Sequence, residues 1–408
     1  MNKGGVMMRW KFIVLMTLFF TLGSFSGAFA ADDSITLDQA KKLANENSRS
    51  YVKYQNDADK AKYQLNQSKN QLNEAERENE RLISQYNDLE EQLNEELNNN
   101  DPDNPPDADE INKIQEEMSS KMDNAVQQAK SVQTLLNNKN DAEDNYDDSI
   151  KAAEKYQKQL EYQVEQQYTT ILIQEENLQA LNKEYAIDLN LFESEKAKMQ
   201  LGSSNQANVN KMSSDAESLN KQIIDLNNLI KALKGNLNDI MGRDYDDNLT
   251  LVAFDVPEEF ELPEYDALLS KATQNYDTLS VIKRTIDNNE DDLDDTDDYN
   301  QRSLIRLDIK EKELQLEDEK FNLKDSINNL ISDFKIKQED YKLSLINLED
   351  AQNSYEWDKK RYELGQISKL DLLQSELNYL NSKNKNVSAG YAFYLAYNSI
   401  ELAENGIF

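Results

Sequence analysis

The chain has 408 residues and a formal charge of −33, with 78 acidic against 45 basic side chains, no histidine and no cysteine. Such an acidic surface disfavours nucleic acid and anionic membranes as partners. Without histidine or cysteine there is no histidine-based catalysis, no zinc site built on these ligands and no disulfide bond. We therefore expect a protein that is not an enzyme and binds no cofactor.

The chain begins with a segment typical of export. Basic residues precede an apolar run at 12–22, and small residues then lead to Ala28-Phe29-Ala30. This order predicts a secretory signal peptide over residues 1–30. The alternative, a retained membrane anchor, needs an apolar run of about 20 residues, and this run is shorter. We expect an exported protein, in the cell envelope or on the extracellular side of the cytoplasmic membrane, that is not integral.

A short element with the pattern T-L-x-x-A-x-x-x-A-x-x-N follows, from Thr36 to Asn47, and a weaker copy runs from Tyr265 to Asn275. About 65 residues more separate Asn47 from Gly202 than separate Asn275 from Gly365. The added residues are predicted to be polar helix at Arg77–Leu97 and Ile111–Leu136. These two helices would fold back on each other at the proline-rich loop that contains Pro102, Pro105 and Pro106.

The first sharp turn is predicted at Leu201-Gly202, where a glycine that can stop a helix is followed by polar residues that can cap the next one. Apolar residues then recur in alternating steps of three and four. A mean period of 3.5 residues is typical of a left-handed coiled coil. The residues of this seam are Val209, Met212, Ala216, Leu219, Ile223, Leu226, Ile230, Leu233, Leu237 and Ile240.

The middle of the chain holds the best strand candidate, Leu249–Phe254. Because it is short and stands alone, we expect it to pack across helices rather than to form a sheet. A domain boundary is placed near Val256. Residues 31–256 would then form a first helical repeat with an insertion, and residues 257–408 a second repeat.

Each half has one acidic segment in its middle, at residues 98–107 in the first half and at residues 288–298 in the second. Neither can form a lipid-facing strand, because several carboxylates would then face hydrocarbon. We therefore expect no transmembrane β-barrel. The carboxylates of Asp101, Asp103 and Asp107, or those between Asp291 and Asp298, could hold calcium, but both lack the Asp-x-Asp-x-Asp-Gly spacing of a calcium loop, so we expect no metal site.

The second sharp turn is predicted within Arg361–Leu373, where Gly365 is followed by Ser368. Aligning Gly202 with Gly365 pairs apolar or aromatic residues across the two halves without a gap. This agreement predicts a tandem duplication of one hairpin. The pairs are Leu160 with Leu323, Val164 with Ile327, Ile171 with Phe334, Leu178 with Tyr341, Tyr185 with Leu348, Phe192 with Tyr355 and Met199 with Tyr362.

A doubled hairpin with the turn pattern R-Y-x-x-G-x-x-S-x-x-D-x-L, opened in each half by the short element described above, resembles the outer-membrane efflux protein (TolC-like) family. The resemblance covers most of the chain after residue 30, except the middle of each half. It implies an all-α fold of two tandem long antiparallel coiled-coil hairpins, with each seam buried against the other helix of its own hairpin. This chain is expected to be a member without the barrel.

The resemblance also implies a function. The protein would be the duct or docking component of an efflux or secretion assembly, and a homo-oligomer, trimeric if the tube is kept. Its tips would meet an adaptor (membrane fusion) protein that is coupled to an inner-membrane transporter. The alternative is a cell-envelope coiled-coil scaffold or regulator without a transport role. The tip residues expected to dock are Leu201, Gly202, Asn208, Tyr362, Leu364, Gly365, Ser368 and Asp371.

Two tip residues carry further expectations. Asp371 matches the aspartate that family members place just inside the tip, where copies of it narrow the entrance and favour cations. The equivalent position of the first half is Asn208, which Tyr362 could reach across the tips. The alternative for Ser368 and Asp371 is that they only cap the returning helix.

Overall fold

The computed structural model describes residues 34–99 and 105–408, and residues 34–408 form one compact unit. The signal peptide predicted at 1–30 lies outside the described residues. The described part contains eight helices and two very short strands. Their bounds are β1 Ser34–Ile35, α1 Leu37–Asn47, α2 Arg49–Leu97, α3 Ala108–Gln200, α4 Gln206–Ile240, β2 Thr250–Leu251, α5 Tyr265–Asn275, α6 Asp277–Asp295, α7 Tyr299–Glu363 and α8 Lys369–Glu404.

The first half is built on α3, which runs for 93 residues and is therefore about 140 Å long. Helix α2 packs antiparallel along its first part, where Lys121 donates to Gln85 and Gln128 donates to the Ala75 carbonyl. Helix α4 packs on its last part. The helix predicted at Arg77–Leu97 and Ile111–Leu136 is present, but not as separate elements. It extends α2 and α3 because neither glycine nor proline interrupts those stretches.

The second half repeats this order on a smaller scale, because α7 packs against α6 and then against α8. Most of the acidic segment 288–298 is helical, since α6 continues to Asp295. Carboxylates on a solvated face of a helix stay hydrated, so they destabilise the helix little. The turn itself is short, and the carboxylate of Asp298 starts α7 by accepting a hydrogen bond from the Gln301 N–H at 2.8 Å.

The predicted coiled-coil seam of α4 is confirmed, because all ten of its residues are buried or half-buried. Helix α8 carries a looser and more aromatic seam, of which Leu370 is exposed. The other residues of this seam are buried or half-buried, namely Leu373, Leu377, Leu380, Val387, Tyr391, Tyr394 and Tyr397. Helix α8 does not pack within its own hairpin alone. It packs against α7 of the same hairpin, as expected, and also packs antiparallel on α3.

The strand candidate at Leu249–Phe254 contains β2, but it does not stand alone. Thr250 and Leu251 pair in parallel with Ser34 and Ile35 of β1. The hydroxyl of Tyr168 lies 2.7 Å from the carbonyl oxygens of Ile35 and Val252 and accepts a hydrogen bond from the Val252 N–H at 2.9 Å. The partner strand was missed because two residues are too few to show an alternating pattern.

The core consists of two apolar clusters, one around α1, α3, α4 and β2, and the other around α5, α7 and α8. Three residue pairs of the proposed repeat occupy matching places in these clusters and are all buried. They are Leu160 and Leu323, Val164 and Ile327, and Ile171 and Phe334. Among the described helices, none is both long enough and apolar enough to cross a membrane.

Candidate docking site at the hairpin tips

Both hairpins turn at a glycine in the left-handed backbone region, with φ of +72° at Gly202 and +70° at Gly365. Each turn is closed by the same two backbone hydrogen bonds. The glycine N–H donates to Met199 or Tyr362, and the next N–H donates to Lys198 or Arg361, at 2.8–3.0 Å. This double closure satisfies the last carbonyls of the incoming helix. The two tips are thus rigid turns of one design.

The returning helices are capped by side chains at equivalent positions. At the first tip, Asn205 Oδ1 accepts a hydrogen bond from the Asn208 N–H at 3.0 Å. At the second, Ser368 Oγ accepts from the Asp371 N–H at 3.1 Å, and Asp371 Oδ2 accepts from the Ser368 N–H at 3.0 Å. This reciprocal pair is a capping box. Ser368 and Asp371 therefore cap the returning helix, and an acidic constriction formed by copies of Asp371 stays a prediction.

The cap also sets the charge of the second tip. Hydrogen bonds from the Ser368 hydroxyl and N–H hold the pKa of Asp371 below its usual range. Near the first tip, hydrogen bonds from Ser204 and Lys198 lower the pKa of Glu195. Asp371 and Glu195 therefore stay ionised at neutral pH, each close to a helix end.

The tips expose apolar side chains at the point where each helix stops. Leu201 is 84% exposed and Leu364 is 72% exposed, and Tyr362 is also exposed. Tyr362 and Asn208 are not joined within this chain, because the Asn208 side chain donates instead to Ser204 Oγ at 3.3 Å. Each closed turn thus presents one exposed leucine that a partner can cover.

A buried ionic cluster, which the sequence analysis did not find, lies far from the tips. Glu165 is 5% exposed and forms an ion pair with Lys41 of α1. It also accepts hydrogen bonds from the Tyr394 hydroxyl at 3.1 Å and from Asn398 Nδ2 at 2.6 Å, both on α8. The available signal was a glutamate directly after Val164, one of the apolar residues that match between the two halves. The cluster joins elements of both halves.

Most of the described carboxylates of the two acidic segments cap a helix or lie on one. Asp107 caps α3 by accepting from the Asp109 N–H at 2.9 Å, and Asp291–Asp295 lie in the last turns of α6. Asp101 and Asp103 lie outside the described residues. Within 34–99 and 105–408, no group of three or more carboxylates is arranged to hold a metal ion.

Three solved structures share this fold over about nine-tenths of the chain. A membrane protein from Pseudomonas aeruginosa matches with a TM-score of 0.54 at 10% identity, covering 90% of this chain and 93% of its own. CusC, described as forming a transmembrane channel, matches with 0.52 at 11% identity, covering 91% and 95%. The outer-membrane channel OprN matches with 0.51 at 11% identity, covering 91% and 90%.

These matches confirm the predicted TolC-like fold, and none of the three proteins is described as an enzyme. At 10–11% identity the likeness is one of fold. No protein-family model matches the sequence, and no curated protein is significantly similar to it. Function must therefore be argued from the residues of this chain.

Proposed function

We propose that this protein is an exported component of a cell-envelope efflux or secretion assembly, serving as its duct or as its docking piece. Its hairpin tips meet the hairpin of an adaptor (membrane fusion) protein that is coupled to an inner-membrane transporter. Support comes from the TolC-like fold, which it shares with proteins described as outer-membrane and transmembrane channels. The scaffold alternative shares the fold but makes no use of the tips.

One observation carries the proposal: the two tips have the same closed turn and each presents an exposed leucine. Single exposed apolar side chains are common on protein surfaces, and what supports docking here is the place of these two leucines at matching closed turns. A helical hairpin that meets the tips end on would contact Leu201 at one tip and Leu364 with Tyr362 at the other. The carboxylates of Glu195 and Asp371 would form its polar rim.

Self-association has separate support from α7. Leu307, Leu314 and Phe321 follow one another at seven-residue intervals and are all strongly exposed. A heptad spacing places them on one face of the helix, and such a face is typical of a coiled-coil contact. We propose that a second copy of this chain covers it, as in an oligomer. In the same way, we propose that residues 31–256 and 257–408 are two copies of one hairpin unit, because their turns and buried pairs match.

Copurification from envelope extracts tests the docking proposal. Leu364→Asp places a charge at the second tip without altering the turn, so we expect loss of the adaptor from the copurified material. Leu343→Asp is the matched control, because Leu343 is similarly exposed on α7, the helix that ends just before Leu364, and lies about 30 Å from the tip. If both variants retain the adaptor as wild type does, the tips do not dock and the scaffold alternative is preferred.

A further inference from the structure

A cavity of about 620 Å³ lies in the body of the chain, far from the tips. Helix α8 packs against both α3 and α7, and the cavity lies between these two helices, over α8. Its volume falls in the range of sites that enclose drug-sized molecules. The residues that line it are Gln159, Tyr162, Ser326, Asn329, Leu330, Asp333, Ser399, Leu402, Ile407 and Phe408.

The apolar end of the cavity is held in place by backbone geometry. Gly406 has a φ of +70°, and a Cβ at this position would lie 2.2 Å from the Asn275 carbonyl oxygen, so only glycine fits. The Ile407 N–H then donates to the Leu402 carbonyl at 3.1 Å. The Phe408 ring packs edge-on against Tyr276, with 5.6 Å between ring centroids. Ile407 and Phe408 are therefore fixed as a wall.

The polar side of the cavity is built from hydroxyl and amide groups with one charge. Tyr162 and Ser399 are joined by a hydrogen bond of 2.7 Å across α3 and α8. Asp333 is the only aspartate, glutamate, lysine or arginine among the described residues that line the cavity, and its ion partner Lys337 is 3.9 Å away on the same helix. The cavity thus has an apolar wall and a single carboxylate at its rim.

Charge in the adjoining space has the same sign. A smaller cavity of about 140 Å³ shares Tyr162 and Leu402 with the first. It is lined by three carboxylates, Glu161, Glu165 and Glu401, against two lysines, Lys41 and Lys158. Together with Asp333 and its ion partner Lys337, the two cavities have four carboxylates against three ammonium groups, so carboxylates remain in excess. This local field attracts cations and repels anions.

We propose that the larger cavity binds an organic cation with an apolar body, such as an aromatic phosphonium or quaternary ammonium ion. The apolar body would lie against Leu330, Leu402, Ile407 and Phe408, where the Phe408 ring can also contact the positive centre. The cation would lie near the Asp333 carboxylate. The site is in the body of the chain, about 50 Å along α7 from the tip, and does not depend on docking there.

Tetraphenylphosphonium and tetraphenylborate are a suitable pair of probes, because they have similar size and opposite charge. Titration calorimetry on the purified protein should show one phosphonium ion bound per chain and at least tenfold weaker binding of the borate. Asp333→Asn should weaken phosphonium binding about threefold, because an ion pair at a half-exposed carboxylate is weak. Asp318→Asn, an exposed aspartate on the same helix, should leave it unchanged.

Filling the cavity gives a second comparison. Ser326→Trp places a large ring in the cavity and should abolish phosphonium binding, whereas Ser332→Trp, on the exposed side of the same helix, should not. The proposal is overturned if the phosphonium does not bind, if both ions bind equally, or if the two tryptophan variants behave alike.

Photolabelling keeps the test valid if Ser326→Trp fails to fold. A benzophenone-bearing phosphonium should label wild-type peptides from 159–162, 326–333 and 399–408. Labels spread along the exposed face of α7 instead would show adsorption to that face and overturn the assignment.

Discussion

Replacing Glu165 by alanine tests whether the buried ionic cluster holds the two halves together. The change removes the ion pair with Lys41 and the acceptor for Tyr394 and Asn398. Burial alone lowers the pKa of Lys41, but the pairing with Glu165 outweighs it, so that the pKa is raised. Without Glu165, Lys41 keeps its charge in a place with little water.

The cost can be estimated from these contacts. Breaking a buried ion pair by removing one partner typically costs about 3–5 kcal/mol. Because the Lys41 side chain remains 23% exposed, water compensates part of its charge, and we expect the low end, about 3 kcal/mol. Removing the lysine as well should recover part of this loss, since no unpaired charge is then buried.

Urea denaturation of Glu165→Ala, Lys41→Met and the double variant forms a suitable cycle. The double variant should be more stable than Glu165→Ala alone. The exposed pair Glu78 and Arg81 supplies a control, and Glu78→Ala should leave the midpoint unchanged. A loss below about 1 kcal/mol for Glu165→Ala, or strictly additive effects in the cycle, would refute the reasoning.

Three further predictions follow from the structure. Gly365→Val should lower the free energy of unfolding by about 1–2 kcal/mol while Gly365→Asn costs less, because the site has room for a side chain but its φ of +70° disfavours a branched one; equal denaturation midpoints would contradict this. Burial raises the pKa of Tyr168 and Tyr394 to about 12. In the unfolded chain a tyrosine loses its proton near pH 10, whereas these two tyrosines keep theirs in the folded protein. The free energy of unfolding should therefore fall between pH 10 and 12, by up to about 1.4 kcal/mol per pH unit for each tyrosine. Urea midpoints that do not change over this range would disprove this prediction. Leu314→Lys combined with Phe321→Lys should shift sedimentation towards the monomer without loss of helix, and an unchanged sedimentation coefficient would remove α7 from the proposed contact.

The parts of the fold that depend on local chemistry could be predicted from the sequence. A glycine that follows an unbroken helix, with a capping residue three positions later, specifies the turns at Gly202 and Gly365 without reference to the rest of the chain. The buried seam of α4 follows from its apolar period, because a 3.5-residue repeat places the apolar residues along one face of the helix. Both signals are carried by neighbours in the sequence.

Features that depend on distant partners could not be predicted in the same way. The strand β1 is two residues long, and its partner lies more than 200 residues away. Glu165 is buried beside Lys41 and two residues of α8, all far away in the sequence. The residues next to Glu165 in the sequence therefore do not indicate that it is buried. Helix α8 packs on both α7 and α3 because its apolar and aromatic face is wide, and the width of a face does not say how many helices cover it.

The most direct test of the central claim is site-specific crosslinking in cells. A photoreactive amino acid placed at Leu364 or Leu201 should form a crosslink to an adaptor protein, identified by mass spectrometry, because these side chains are exposed on the closed turns. The same amino acid at Leu343, exposed on α7, the helix that ends just before Leu364, should not form this crosslink. Docking through the tips would be contradicted if neither tip position formed a crosslink to the adaptor, or if Leu343 formed one as strongly as the tips do.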